Sequence, residues 1–137
     1  MAGYVEMYRL GKTYDTPNGP AVIVEEFTLN MNMGEYVCLL GHSGCGKSTV
    51  LTMAAGLNSI THGGIVVDGH EIEGPGPDRG VVFQSPCLVP GMTAMEHGLL
   101  GVMQVYPHGT RAQRHAGAAS YLTLVGLGIS WHCRAAS

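Results

Sequence analysis

Residues 41–49 read GHSGCGKST and match the pattern G-x-x-x-x-G-K-[ST]. A functional loop of this type lies between a buried strand and a helix, so the pattern constrains the fold on both sides of it. Residues 35–40 (EYVCLL) are short and apolar, and Lys47 to Ala55 has apolar residues at helical spacing, with Gly56 placed to end the helix. The segment therefore predicts a strand, a glycine-rich loop and a helix in succession.

The three glycines of this loop, Gly41, Gly44 and Gly46, allow backbone angles that let successive N–H groups converge on phosphate oxygens. The N-terminus of the following helix carries a partial positive charge, which also favours binding of a phosphate group. Lys47 supplies a positive charge for the outer phosphates of a bound ligand, and the Ser48 hydroxyl is the expected ligand of a magnesium ion. The other residues of this predicted phosphate-binding loop are His42, Ser43, Cys45 and Thr49.

Strand and turn signals surround this loop. Tyr4 to Leu10 and Ala21 to Asn32 are rich in Val, Ile, Tyr and Phe and predict two strands. Asp68-Gly69 lies between two further short strand patterns, and this dipeptide favours a tight hairpin turn. Gly80 to Phe83 predicts another buried strand.

The last third of the chain has helical patterns. Thr93 to Val102 and Arg111 to Val125 are predicted as helices, and Thr93 with Glu96 forms a capping-box signature at the start of the first.

Composition excludes several classes of function. The net charge is -3 and charged residues make up 12% of the chain, so no basic surface is available for nucleic acid. No apolar run approaches the roughly 20 residues that span a bilayer, so we expect membrane contact only through a partner protein. The four cysteines form no C-x-x-C pair and no signal peptide is recognisable, which favours free thiols in the cytosol.

Several motifs in order carry a resemblance to a known family. GHSGCGKST is followed by the hairpin, by GPGPDRGVVFQ at residues 74–84, and by L-x-P-x-x-T-x-x-E at residues 88–96. The chain resembles the ATP-binding subunits of ABC transporters, in particular the group serving nitrate, cyanate, sulfonate and taurine importers, with nitrate or cyanate nearest. The resemblance covers the N-terminal part of such a subunit.

The resemblance implies an α/β fold, the N-terminal portion of a P-loop NTPase. An antiparallel β subdomain and an incomplete RecA-like core would occupy residues 1–90, and residues 91–137 would start a helical subdomain. It further implies that ATP and magnesium are the cofactors, that a second ATP-binding subunit and a membrane permease are the partners, and that the protein works at the cytoplasmic side of the bacterial inner membrane.

The resemblance also implies roles for residues outside the loop. Tyr14 falls where the family has an aromatic ring that stacks on adenine, and Gln84 falls where it has a glutamine that reaches magnesium and the attacking water. The chain departs from the importer group at two positions of the expected permease contact: Gly91 replaces a tryptophan and His97 replaces an asparagine.

No complete catalytic set is recognisable in the 137 residues. The family's Leu-Ser-Gly-Gly signature, its strand ending in Asp-Glu and its switch histidine have no counterpart in the sequence. We therefore expect ATP binding as part of the ATPase subunit of a small-anion importer, with hydrolysis undecided. The alternatives are a non-catalytic nucleotide-binding fragment of a truncated gene and, with less support, a small P-loop kinase.

Overall fold

The computed structural model describes residues 3–85 and 87–134. These residues divide into two compact units, one ending at Val81 and the other beginning at Val82. The boundary expected after residue 90 concerns subdomains of a whole protein and stays a prediction.

The first unit is built on a four-stranded antiparallel sheet. Its strands are β1 (Val5–Thr16), β2 (Gly19–Met31), β3 (His62–Val67) and β4 (His70–Glu71), and their order across the sheet is β2-β1-β3-β4. The two predicted strands near the N-terminus are confirmed, and both are longer than the sequence indicated. Bulges between Met7 and Thr13 allow the long β1 to twist while it stays paired with β2.

The hairpin between β3 and β4 turns at the predicted dipeptide. Asp68 has φ 49° and Gly69 has φ 76°. Two successive positive φ angles are the requirement of a type I′ turn, whose twist matches that of the flanking strands. The Asp-Gly prediction is therefore confirmed.

One helix, α1 (Lys47–Ala54), packs on this sheet. Its Val50 and Met53 join Leu10, Val24 and Ile65 in the core, which also includes Met7. The chain leaves the helix at Gly56, whose φ of 74° carries it into the left-handed region, and the Gly56 N–H donates to the Met53 carbonyl. Both the helix and its terminating glycine were predicted correctly.

Two predicted strands are not formed. Residues 35–40 and 80–83 have neither helical nor strand structure, and the side chains of Tyr36, Leu40 and Val82 are 92%, 93% and 100% exposed. A buried strand needs a neighbouring strand for its backbone hydrogen bonds and a covering layer for its side chains. Among the described residues, no strand pairs with either segment. The apolar composition of a segment does not show whether a partner strand is present.

The second unit contains the two predicted helices, α2 (Ala94–Val105) and α3 (Arg111–Leu124). They pack through Met95, Val102, Ala118 and Leu122, with Trp131 at the edge of this cluster. Both helices begin with a capping box, in which a threonine hydroxyl and the third residue of the helix bond each other's backbone N–H. No helix within the described ranges is long and apolar enough to cross a membrane.

Candidate functional site

The glycine-rich loop leads directly into α1 through Gly46. This residue has φ 89° and is buried, and a Cβ added to it would lie 2.8 Å from the Ile23 carbonyl oxygen and 3.2 Å from Cγ2 of Val24. Only glycine combines that backbone angle with such close contact to β2. The loop is thereby held against the sheet at the point where the helix begins.

The start of α1 carries no side-chain cap. Gly46 is the N-cap residue, no side chain among the described residues caps the N–H groups of the first turn, and that turn contains no acidic residue. The first N–H groups of a helix need acceptors, and the helix dipole makes an anion favourable beside them. Ser48, exposed, and Thr49, half-buried, place their hydroxyl groups in this same first turn. The arrangement suits a phosphate group.

Lys47 folds back over the loop. Its Nζ donates to the carbonyl oxygens of Gly41 at 2.8 Å and His42 at 2.6 Å, and to Sγ of Cys45 at 3.3 Å. The ammonium group is therefore fixed at the loop by three contacts. The side chains of His42 and Ser43 are exposed beside it.

Tyr14 lies near the end of β1, in the same unit as the loop, and the residue is 40% exposed. Its hydroxyl oxygen accepts a hydrogen bond from Nδ2 of Asn58 at 2.7 Å, and the ammonium of Lys12 lies 4.8 Å from its ring centroid. Neither Asn58 nor Lys12 was singled out from the sequence. A usable signal was present for Lys12, since residues two apart in a strand point to the same face.

Gln84 belongs to the second unit, in an exposed stretch without helix or strand. Its role as a magnesium ligand and water-positioning group stays a prediction, as does that of Ser48. Both offer neutral oxygen atoms, which suit a magnesium ion that keeps several of its waters. In the part of the chain that the structure describes, no group of three or more His, Cys, Asp or Glu side chains could hold a metal ion.

His97, one of the two departures from the importer group, has a local structural role. Its Nε2 accepts from the Val89 N–H at 2.8 Å, and its Nδ1 lies 2.8 Å from the Thr93 carbonyl oxygen. The imidazole therefore ties the preceding loop to the first turn of α2. Gly91, the other departure, has φ 83° and lies in that loop.

Comparisons with known proteins agree on one family. The family model described as ABC transporter matches residues 24–135. The chain is 41% identical over 132 residues to the nitrate import ATP-binding protein NrtD of Synechococcus elongatus, covering 96% of this chain and 48% of that protein. It is 43% identical over 124 residues to the bicarbonate transport ATP-binding protein CmpD of Synechocystis sp., covering 90% and 44%. The chain thus spans about half the length of these curated relatives.

A solved structure has a similar fold. The dimeric ATP-binding cassette MJ0796, in a post-hydrolysis state bound to ADP and phosphate, superimposes with a TM-score of 0.79 at 27% sequence identity. The match covers 93% of this chain and 60% of that one. The predicted fold class, the N-terminal portion of a P-loop ATPase, is confirmed.

Proposed function

The chain belongs to the ABC transporter family, and from that premise we propose that it binds ATP at the loop of residues 41–49. Backbone N–H groups of the loop and of the α1 N-terminus hold the phosphates, and Lys47 neutralises the outer ones. Ser48 would be the magnesium ligand of the loop. For Gln84, which belongs to the second unit, the same role is proposed from the family resemblance alone. Tyr14 stacks on adenine, for which a flat aromatic face is chemically suited.

The geometry of Gly46 carries this proposal. It positions the loop against β2 and leaves the first turn of α1 without a side-chain cap. A helix end of this kind is stabilised by an anion that accepts from its N–H groups. Among the groups of ATP, the phosphates meet that requirement.

Lys47 supports the same conclusion. Its Nζ donates to two neutral carbonyl oxygens of the loop, at Gly41 and His42. Phosphate oxygens accept stronger, charge-assisted hydrogen bonds than carbonyl oxygens do. The lysine can therefore transfer its hydrogen bonds from the loop to a phosphate without moving far.

The proposed context is the ATP-binding subunit of an importer for a small anion. The names of the relatives divide between nitrate and bicarbonate, and both are small inorganic anions, the class of substrate that we propose. The dimeric state of the similar cassette supports a partnership with a second ATP-binding subunit. A membrane permease would then be the other partner, at the cytoplasmic face of the bacterial inner membrane.

The direct test is calorimetric titration of the 137-residue chain with ATP, with and without magnesium. Lys47→Ala should abolish binding. Arg9→Ala is the matched control, because Arg9 is an exposed cation of the same unit that pairs with Glu26 instead. Phosphate release recorded in the same samples separates binding from turnover. Equal affinity of the wild type and Lys47→Ala would refute the proposed site.

A further inference from the structure

The ring of Tyr14 is held by two neighbouring side chains. The Lys12 ammonium lies 4.8 Å from the ring centroid, within the range of a cation–π contact. Nδ2 of Asn58 donates to the phenolic oxygen at 2.7 Å. One contact fixes a face of the ring and the other fixes its tip, so both side-chain torsions of the tyrosine are restrained.

Lys12 is itself immobilised. The residue is only 6% exposed, and its Nζ donates to the carbonyl oxygen of Ser59 at 2.7 Å and to the Ser59 hydroxyl at 2.9 Å. Both of these acceptors are uncharged. Burying an ammonium group against neutral acceptors is costly compared with leaving it in water. Such a cost suggests a functional role for Lys12, and among the described residues its ammonium also faces the ring of Tyr14.

The segment that supplies Asn58 and Ser59 is joined to β1 along its length. The Thr13 N–H donates to Oγ1 of Thr61 at 3.0 Å, and the Thr61 N–H donates to the Gly11 carbonyl at 2.9 Å. The same segment continues from α1, and the Asn58 N–H donates back to the Thr52 carbonyl at 3.2 Å. The helix that begins at the phosphate loop is therefore connected at its other end to the surroundings of Tyr14.

We propose that Lys12 and Asn58 are positioning residues that hold the Tyr14 ring in place for the adenine base. This inference rests on the proposed function. With the ammonium on one face, the base stacks on the opposite face, and the 40% exposure of Tyr14 leaves ring surface for it. A ring that is ordered before binding loses less conformational freedom when the nucleotide arrives, and this preorganisation strengthens binding.

The test compares two ligands, MgATP and magnesium tripolyphosphate, because the second has the phosphates but no base. Lys12→Met and Asn58→Ala should each weaken ATP binding about three- to tenfold, the range of one net polar contact. Binding of tripolyphosphate should stay unchanged. Asn58→Ala combined with Tyr14→Phe should weaken ATP binding no more than either substitution alone, since both remove the same hydrogen bond.

Two controls separate positioning from general stability. Lys12→Arg keeps a cation beside the ring and should restore most of the ATP affinity that Lys12→Met loses. Arg9→Met removes a cation from the same strand without touching Tyr14 and should affect neither ligand. Circular dichroism and urea unfolding of each variant confirm that it is folded.

The possible outcomes test the positioning role of Lys12 and Asn58 separately from nucleotide binding. If Lys12→Met and Asn58→Ala leave ATP affinity unchanged, or weaken both ligands equally, the positioning role is refuted. ATP affinity that still depends on Lys47 and Tyr14 would then leave the nucleotide site intact. A folded wild-type chain that binds neither ligand would overturn both proposals together.

Discussion

The Lys47 ammonium lies 2.8 Å from the carbonyl oxygen of Gly41, six residues earlier in the chain. The lysine thus closes the loop between its first glycine and the first residue of α1. This short distance places the positive charge of Lys47 next to the loop backbone that would surround a phosphate. The geometry depends on a compact ammonium group with three donors.

The first prediction concerns the shape of this cation. Lys47→Arg keeps the charge but replaces the point-like ammonium by a longer, planar group that does not fit the same place. We expect MgATP affinity to fall by about ten- to hundredfold, the range of a lost charged hydrogen bond. Calorimetric titration measures it. Arg9→Lys is the matched control, because it makes the reverse exchange of cations at an exposed position of the same unit that pairs with Glu26. An equal loss in both variants would contradict the prediction.

A second prediction separates two glycines that both have positive φ. Gly46 has φ 89° and its added Cβ would lie 2.8 Å from the Ile23 carbonyl oxygen, whereas Gly44 has φ 79° and open space around it. Gly44→Ala should lower the free energy of unfolding by about 1–2 kcal/mol, the cost of left-handed backbone in a residue with a Cβ. Gly46→Ala should cost clearly more, because the backbone of β2 must also move.

Urea unfolding of the first unit, followed by far-ultraviolet circular dichroism, measures this difference. MgATP binding should fail in Gly46→Ala and weaken less in Gly44→Ala. Equal stability of the two variants would show that contact with β2 contributes nothing at this position.

A third prediction addresses the start of α2. The Thr93 hydroxyl accepts from the Glu96 N–H at 3.2 Å, and the Glu96 carboxylate accepts from the Thr93 N–H at 2.6 Å. Thr93→Ala removes the first of these bonds and should lower the free energy of unfolding of the second unit by about 1 kcal/mol. Thermal and urea unfolding measure it.

The control for Thr93→Ala is Thr123→Ala. The Thr123 hydroxyl donates to the Ala119 carbonyl within α3, a bond that adds little to helix stability. Similar losses in the two variants would argue against a specific capping role for Thr93.

Local signals predicted local structure well in this chain. The Asp68-Gly69 turn, the glycine that ends α1 and the capping box of Thr93 and Glu96 each depend on residues within a few positions of one another. The interactions that form these features involve only neighbouring residues, so they can be predicted from the sequence alone. The family resemblance is confirmed for the same reason, since its motifs are short and occur in the right order.

Long-range contacts were the part that sequence reasoning missed. Residues 35–40 were wrongly predicted as a strand because pairing depends on a distant neighbour. Lys12 was not singled out from the sequence, yet it is buried against Ser59, 47 residues away. Asn58 likewise meets Tyr14 across 44 residues. Such contacts follow from the register of β1 against its neighbours and from the exit of α1, which no local pattern encodes.

The last prediction concerns pH. The Thr93 N–H, followed by the Thr93 hydroxyl, holds the pKa of the Glu96 carboxyl below its ordinary value of 4.5. A carboxyl whose pKa is lowered by folding stabilises the folded state fully above its unfolded pKa, and this contribution is lost as the pH falls through the folded value. The second unit should therefore lose stability in acid, beginning near pH 4.5. Glu96→Gln keeps an oxygen acceptor without a titrating group, so it should flatten this dependence while preserving the cap.

The chain contains its own reference for that experiment. The capping box of α3 uses Gln113, whose Oε1 accepts from the Thr110 N–H at 2.9 Å, and it has no carboxyl to titrate. Urea midpoints recorded from pH 7 to pH 3 for the wild type, Glu96→Gln and Glu25→Gln, an exposed acid of β2, isolate the effect. Glu25→Gln should follow the wild-type curve for the second unit. A Glu96→Gln variant with the same acid sensitivity as the wild type would show that the Thr93 hydrogen bonds do not couple this carboxylate to folding.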